Sequence, residues 1–440
     1  MLVQFTVRNF KTFKEEAKLT LFASNYDKTT REEDNVFEVP KFGLRLLKSA
    51  VVYGANASGK TKLMDAAYFM KEFILKSSKE SQQGDPIETE PFRLSTTTIG
   101  EPSMFEVVFI HNNEMFRYGF EATAKAVTSE WLYHRPHTKE VEVFFREGQK
   151  FTMHNKLFRK GYFFVKEKMV RPNALMLSVA AQFNDEMAEQ VFSWLQKFHQ
   201  LAGLKEESFA EHTMALSTDS SAKNKVLDLL KEADLGIEDI QIRQTESPET
   251  AVGLSNFVQS IMNKTMKEMG ISVLSEVKTF HGIYDLSNAK VGVEEFTLDD
   301  QESSGTAKFF ALIGPIIKAL DHGEVLFVDE LDSKIHPNLV GKLVALFNSA
   351  ETNPKNAQLI FNTHDTNLLG SGLFRRDQIW FVEKDRYGAA SLYSLASFKT
   401  DEGGRKSDNF EENYISGRYG AIPILGDFDT MFHHETAAGK

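Results

Sequence analysis

Eight residues near the N-terminus, Gly54-Ala55-Asn56-Ala57-Ser58-Gly59-Lys60-Thr61, constrain this chain more than any other segment. They follow the apolar run Ser49-Ala50-Val51-Val52-Tyr53 and precede a segment of helical periodicity, Leu63 to Leu75. A strand, a glycine-rich turn and a helix N-terminus in that order aim successive backbone N–H groups at one point, where a phosphate can sit. Gly54, Asn56, Ala57, Ser58 and Gly59 are the candidate phosphate contacts of the turn. Lys60 can reach the β- and γ-phosphates of a nucleotide, and the Thr61 hydroxyl can ligate Mg²⁺.

A second set of polar residues lies far along the chain. Val325-Leu326-Phe327-Val328-Asp329-Glu330 reads as a buried central strand ending in two acids. Acids at the C-terminal end of such a strand stand where ligands bind in α/β sheets. Asp329 would complete the Mg²⁺ shell, and Glu330 would polarise an attacking water. Asp332 follows at once, close enough to bridge two protomers. Gln358-Leu359-Ile360-Phe361-Asn362-Thr363-His364-Asp365 is another buried strand with a polar end, from which His364 could donate to the γ-phosphate or orient the water. Glu302-Ser303-Ser304-Gly305-Thr306 precedes an apolar helix, Ala307 to Leu320, and can form a second anion nest. The chain has one phosphate loop, so a second nest needs a phosphate from elsewhere. A head-to-tail dimer supplies it, with each nucleotide between Lys60 of one copy and Ser303 of the other.

The 440 residues allow two or three domains, and 42% hydrophobic with 26% charged residues is a folded composition. Absence of cysteine excludes disulfides and thiolate metal sites. No apolar stretch is long enough to span a bilayer and no signal peptide opens the chain, so the expected address is the cytoplasm, without a membrane partner. A formal net charge of −11 argues against a surface devoted to nucleic acid. A local basic stretch remains, Arg159, Lys160, Lys166, Lys168 and Arg171, read as one face of a hairpin. Residues 104–151 form an antiparallel meander, which points to a mixed α/β fold. From 185 the periodicity turns helical: Val191, Leu195 and Phe198 share a face, as do Val226, Leu229 and Leu230, and Phe257–Met269 reads as a further helix. Phe280–Tyr284 and Val291–Phe296 read as strands returning to the core, and Lys399–Asn409 as a mobile charged loop. The expected division is 1–184, an inserted helical module at 185–278, and 279–440.

Taken together these motifs resemble the ATP-binding-cassette-like ATPases, and more narrowly the bacterial AAA15/AAA21-type group related to SMC, recombination-mediator and OLD-family ATPases. The family's Walker A motif is similar to Gly54–Thr61, and its Walker B motif and catalytic glutamate to Val325–Asp329 and Glu330. Its signature motif resembles Glu302–Thr306, with Ser303 and Gly305 kept; the D-loop resembles Leu331-Asp332-Ser333 and the switch histidine His364. Asn9-Phe10-Lys11-Thr12-Phe13 and the segment containing Gln182 also look like this group, although no glutamine of the sequence is assigned to the Q-loop. The resemblance implies an ABC-type P-loop fold with a mixed parallel sheet, an antiparallel β-subdomain and an inserted helical module. It implies ATP and Mg²⁺ as ligands, ATP hydrolysis, and a homodimer or higher homo-oligomer. Related ATPases work in phage defence beside a nuclease or toxin. Only about 75 residues follow His364, without a spaced Asp-x-Asp, so the expected effector acts in trans. DNA repair or recombination, with direct DNA contact, is the alternative.

Overall fold

The parallel order that a phosphate loop demands is present at the centre of the chain's computed structural model, which describes residues 1–201, 206–244, 275–398 and 409–423. The strand Ser49–Tyr53 is flanked on one side by Gln358–Asn362, then Val325–Val328, then Phe198–Leu201, and on the other by Ile379–Lys384, all parallel to it or to one another. Ala390–Ser394 closes the far edge antiparallel. The central strands carry no polar alternation because both faces are covered. Ala50 and Val52 turn into one apolar core, Val51 and Tyr53 into the other.

The first core lies between this sheet and a seven-stranded antiparallel sheet. In spatial order that sheet is Lys150–Met153, Val141–Glu147, Val127–Arg135, Glu114–Ala122, Ser103–His111, Leu2–Arg8 and Ala17–Thr20. The helix Lys60–Lys76 fills the gap with Leu63, Met64, Ala67, Met70 and Ile74, all buried. A buried ion pair ties the outer meander down. Arg146 stands 3.4 Å from Glu130, both fully enclosed, and Glu130 also accepts from the Met176 and Leu177 N–H groups and the Tyr118 hydroxyl. Burial raises the Glu130 carboxyl above its usual range, against the pull of Arg146.

The second core joins the other sheet face to the helices Ser304–His322 and Pro337–Asn348. Pro315 interrupts the first of these helices and cannot donate a backbone bond. Thr213, from the helix Glu206–Leu216, repairs the gap. Its hydroxyl donates to the Phe310 carbonyl at 2.8 Å and accepts from the Gly314 N–H at 3.0 Å. Behind the phosphate loop, Tyr414 of the helix Phe410–Ile415 stacks on Phe381 and meets Tyr53 at a tilt, and Tyr419 is 1% exposed. Arg418 donates to Asn413, so this C-terminal segment is a packed cap.

Three expectations need correction. Phe198 does not continue the helix of Val191 and Leu195. That helix is Glu186–Leu195, and Phe198–Leu201 is an edge strand of the central sheet. A four-residue edge strand with apolar residues only at its two ends, Phe198 and Leu201, shows no alternation, and Phe198 falls in step with the helical stripe of Val191 and Leu195. The strands Ser275–Tyr284 and Lys290–Thr297 do not join the central sheet; with Ile237–Gln244 they form a separate three-stranded antiparallel sheet, which reaches the second core through Ile237, Ile240 and Val277. The basic stretch is not a hairpin face but the helix Arg159–Lys166 and the turn after it. Between these elements the 185–278 segment also supplies the helix Ser220–Glu232. The expected helix at 257–269, and residues 399–408 of the charged loop, lie outside the described residues. Among the described residues no helix is long and apolar enough to cross a membrane.

Candidate functional site

The phosphate loop emerges from the Ser49–Tyr53 strand and enters the helix Lys60–Lys76 without a side-chain cap, which leaves the N-terminal N–H groups directed at the loop's interior. Gly59 has φ 122°, and a Cβ there would lie 2.8 Å from Thr12 Oγ1, so only glycine fits between loop and N-terminal turn. That turn is pinned by Lys11, whose Nζ is 2.7 Å from Asp65 of the loop's own helix. Asn56 and Ala57 are exposed at the tip, with Ala57 at φ 59°. Lys60 is buried, and its Nζ donates to the carbonyls of Gly54 at 2.7 Å and Ala55 at 3.1 Å. Burial pulls its ammonium down to about 8, while Asp332, Glu330 and Asp329 push the other way. The parallel registers of Ser49–Tyr53, Gln358–Asn362 and Val325–Val328 bring the loop of Lys60 and the segment of Asp329, Glu330 and Asp332 to the same end of the sheet.

Asp329 and Glu330 are held by a residue the motifs did not single out. Asn362, at the end of the Gln358–Asn362 strand, donates from Nδ2 to Asp329 Oδ1 and accepts the Glu330 N–H at 2.6 Å through Oδ1. Glu330 itself has φ 52°, a left-handed conformation that is uncommon for a residue with a side chain. The sequence shows only an asparagine before Thr363-His364 at the end of an otherwise apolar strand; the structure buries it fully. His364 is exposed, and its N–H donates to Asp332 Oδ2 at 3.0 Å. Asp332 therefore bonds the D-loop to the switch strand. Gln182 ends the helix Met176–Gln182, exposed, and makes no bond to the loop among the described residues. Gln200, on the edge strand, donates to the Met64 carbonyl of the phosphate-loop helix at 3.0 Å.

The signature segment stands apart from the loop within one chain. Ser303 is exposed and caps the helix Ser304–His322, its Oγ accepting the Thr306 N–H at 3.1 Å. No hydrogen bond joins it to the phosphate loop among the described residues. Gly305 sits against the D-loop: a Cβ there would be 2.6 Å from the Lys334 carbonyl oxygen. Glu302 is clamped by the separate sheet, its Oε1 2.6 Å from His281 Nε2 and 2.5 Å from Thr279 Oγ1.

The residues fit a nucleotide with its cation. Ser58 Oγ and Asp332 Oδ1 are buried without a protein partner, the condition of atoms that face a polar ligand or water. The Thr61 hydroxyl and the Asp329 carboxylate are hard oxygen donors of the kind Mg²⁺ takes.

Phosphate loop, paired strand-end acids, D-loop and signature helix around a parallel sheet, with an antiparallel sheet over one face, define an ABC-type P-loop ATPase fold. The chain belongs to the family described as "AAA domain, putative AbiEii toxin, Type IV TA system", whose model matches residues 49–370. An SMC head domain from Thermotoga maritima is similar over 89% of this chain and 98% of its own, at 12% sequence identity and a TM-score of 0.39. No curated protein matches the sequence.

Proposed function

We propose that this chain hydrolyses ATP, and that the nucleotide closes a homodimer or higher homo-oligomer whose state controls a partner nuclease or toxin in antiphage defence. The observation that carries the reading is that adjacent parallel strands bring the loop of Lys60 and the segment of Asp329, Glu330 and Asp332 to the same end of the central sheet. In this reading the loop N–H groups and Lys60 bind the phosphates, and Thr61 with Asp329 would hold Mg²⁺. Bound there, the cation neutralises charge on the phosphate oxygens. Glu330 accepts a proton from the water that attacks the γ-phosphorus, and the bond to the β-phosphate oxygen breaks to leave ADP. His364 orients that water or donates to the γ-phosphate. Ser303 and Gly305 of a second copy close the far side, which agrees with the exposure of Ser303.

The test is Glu330→Gln, which keeps shape and removes the base. Nucleotide affinity should hold within about twofold, turnover should fall by roughly 10²-fold or more, and ATP should trap the dimer on size exclusion. Turnover at the normal rate would remove Glu330 from this role. The family description names a toxin and a type IV toxin–antitoxin system, which supports the defence reading. Co-purification of a neighbouring gene product only in the presence of ATP is the expected outcome. Recovery of no such partner, with phage resistance unchanged on deletion, would sink it.

One observation favours direct DNA contact as a second reading. Arg159, Lys166 and Lys168 are exposed beside Tyr162 and Phe163, which are 50% and 56% exposed. The other two basic residues are spent on structure, Lys160 on the Phe183 carbonyl and Arg171 on that of Ser78. Three cations predict a shallow salt dependence, a log–log slope of about −3 for duplex binding. Binding that is absent at low salt would eliminate this reading.

A further inference from the structure

The left-handed backbone at Glu330 is held from both sides. Its N–H donates to Asn362, as described, and its carbonyl accepts from Lys308 Nζ at 2.9 Å. Lys308 is 2% exposed and belongs to the helix Ser304–His322, on the turn after Ser303 and Gly305. Its side chain borders a small cavity with Leu201, Phe209, Ala311, Leu312, Val328 and Asp329. A methionine or leucine would fill those surroundings without the desolvation cost of an ammonium, which is several kcal/mol for an enclosed cation. Filling space therefore does not account for a lysine here. Among what the lysine adds is a charged donor to the Glu330 carbonyl, and charge-assisted bonds are roughly twice as strong as neutral ones.

We propose that Lys308 is a positioning residue for Glu330. It holds the carboxylate's backbone in the left-handed conformation and ties that backbone to the signature helix. Asn362 fixes the same residue to the switch strand, so Glu330 hangs between two elements. The inference rests on the reading of Glu330 as the base. A residue that acts through a base should change turnover and leave nucleotide binding alone. Its effect should also vanish once the base is gone.

The experiment is a double-mutant cycle on the full chain, with Lys308→Met, Glu330→Gln and the combination. Steady-state hydrolysis of Mg-ATP, titration with a fluorescent ATP analogue and amide hydrogen exchange without nucleotide are measured on each. Lys308→Met should lower kcat by about tenfold, a fraction of what general bases contribute, with KM within about twofold. Lys308→Arg should recover most of that loss. Exchange at the amides of residues 330–333 should speed up in Lys308→Met while the central strands keep their protection. In the Glu330→Gln background Lys308→Met should add no further loss. An equal loss in both backgrounds, or a raised KM with kcat unchanged, overturns the role of Lys308 and leaves the base standing. Normal turnover of Glu330→Gln alone overturns the base and this inference together. Should Lys308→Met fail to fold, Lys308→Gln, which keeps a donor but is neutral and shorter, enters the same cycle with the same criteria.

Discussion

Gly305→Ala separates two reasons for a glycine in the signature segment. One reason is contact across a dimer, which matters only with nucleotide bound. The other is local: the added Cβ would stand 2.6 Å from the Lys334 carbonyl oxygen, short of ordinary contact by about 0.8 Å. That oxygen is backbone, in a residue at φ 63°, inside a D-loop turned by the bonds Ser333 N–H to Glu330 O and Ile335 N–H to Asp332 O. It cannot swing aside like a side-chain tip; the turn has to move. Overpacking of this kind costs about 1–3 kcal/mol. The opposing gain in helix propensity is at most about 1 kcal/mol and smaller at a helix start. The clash wins, leaving a net loss of about 1–2 kcal/mol. For 440 residues, at about 2.1 cal/mol/K of unfolding entropy per residue, the expected drop in Tm is only about 1–2 °C. Urea denaturation of the nucleotide-free protein resolves it better, as a lower midpoint at unchanged slope. Hydrolysis should fall alongside, since Glu330 and Asp332 belong to the displaced turn. An unchanged urea midpoint without nucleotide would refute the local argument and leave only the contact across the dimer.

Three further outcomes are expected. With burial pulling the Lys60 ammonium down to about 8, ATP affinity should weaken about tenfold between pH 7 and pH 9 as the ammonium is lost; a flat profile in a fluorescent-nucleotide titration would contradict this. The sign for stability is opposite. The folded value lies below the unfolded 10.5, the folded chain binds fewer protons between about pH 8 and 10.5, and the burial penalty, complete below about 8, is relieved across that window. Asn362→Leu removes a bond to the Asp329 carboxylate and one to the Glu330 N–H, and should cost about 2–4 kcal/mol in denaturant melts while slowing turnover; wild-type behaviour would mean Asn362 is not the anchor. Glu130→Ala strands Arg146 in the core and should cost about 3–5 kcal/mol by denaturant melts, with ATP affinity preserved in whatever fraction folds, because the pair lies in the antiparallel sheet; a loss under 1 kcal/mol would show the pair to be dispensable.

The nucleotide end of this fold was legible because its chemistry is written in contiguous strings. Gly54–Thr61 and Val325–Glu330 each combine a buried strand with the polar residues at its tip, so one reading gives both the element and the site. The antiparallel sheet was legible as well, since the apolar runs Met104–Ile110 and Met115–Phe120 are joined through Asn112-Asn113, both at positive φ. What the sequence hid is long-range. Asn362 reaches Asp329 across 33 residues and Lys308 reaches Glu330 across 22, and nothing local distinguishes either from an ordinary polar residue in an apolar element. The strand Phe198–Leu201 was hidden for a different reason. Its place is set by pairing with Val325–Val328, and the four residues Phe-His-Gln-Leu after a helix carry no period of their own. The outer sheet was legible as strands but not as a separate layer, because strand periodicity is blind to which partner a strand finds.

That outer sheet has a mechanical consequence. Thr279 and His281 lie two residues apart on the Ser275–Tyr284 strand, so both side chains face one way, and both grip the Glu302 carboxylate next to Ser303. The sheet and the tip of the signature helix are therefore one lever arm with a short, rigid coupling. A load on that sheet has a direct route to Ser303 through Glu302, beside the packing of Ile237, Ile240 and Val277 on the second core. On the proposed role of Ser303, the timing of the nucleotide cycle would then be open to control from this sheet, at a place where no phosphate is touched.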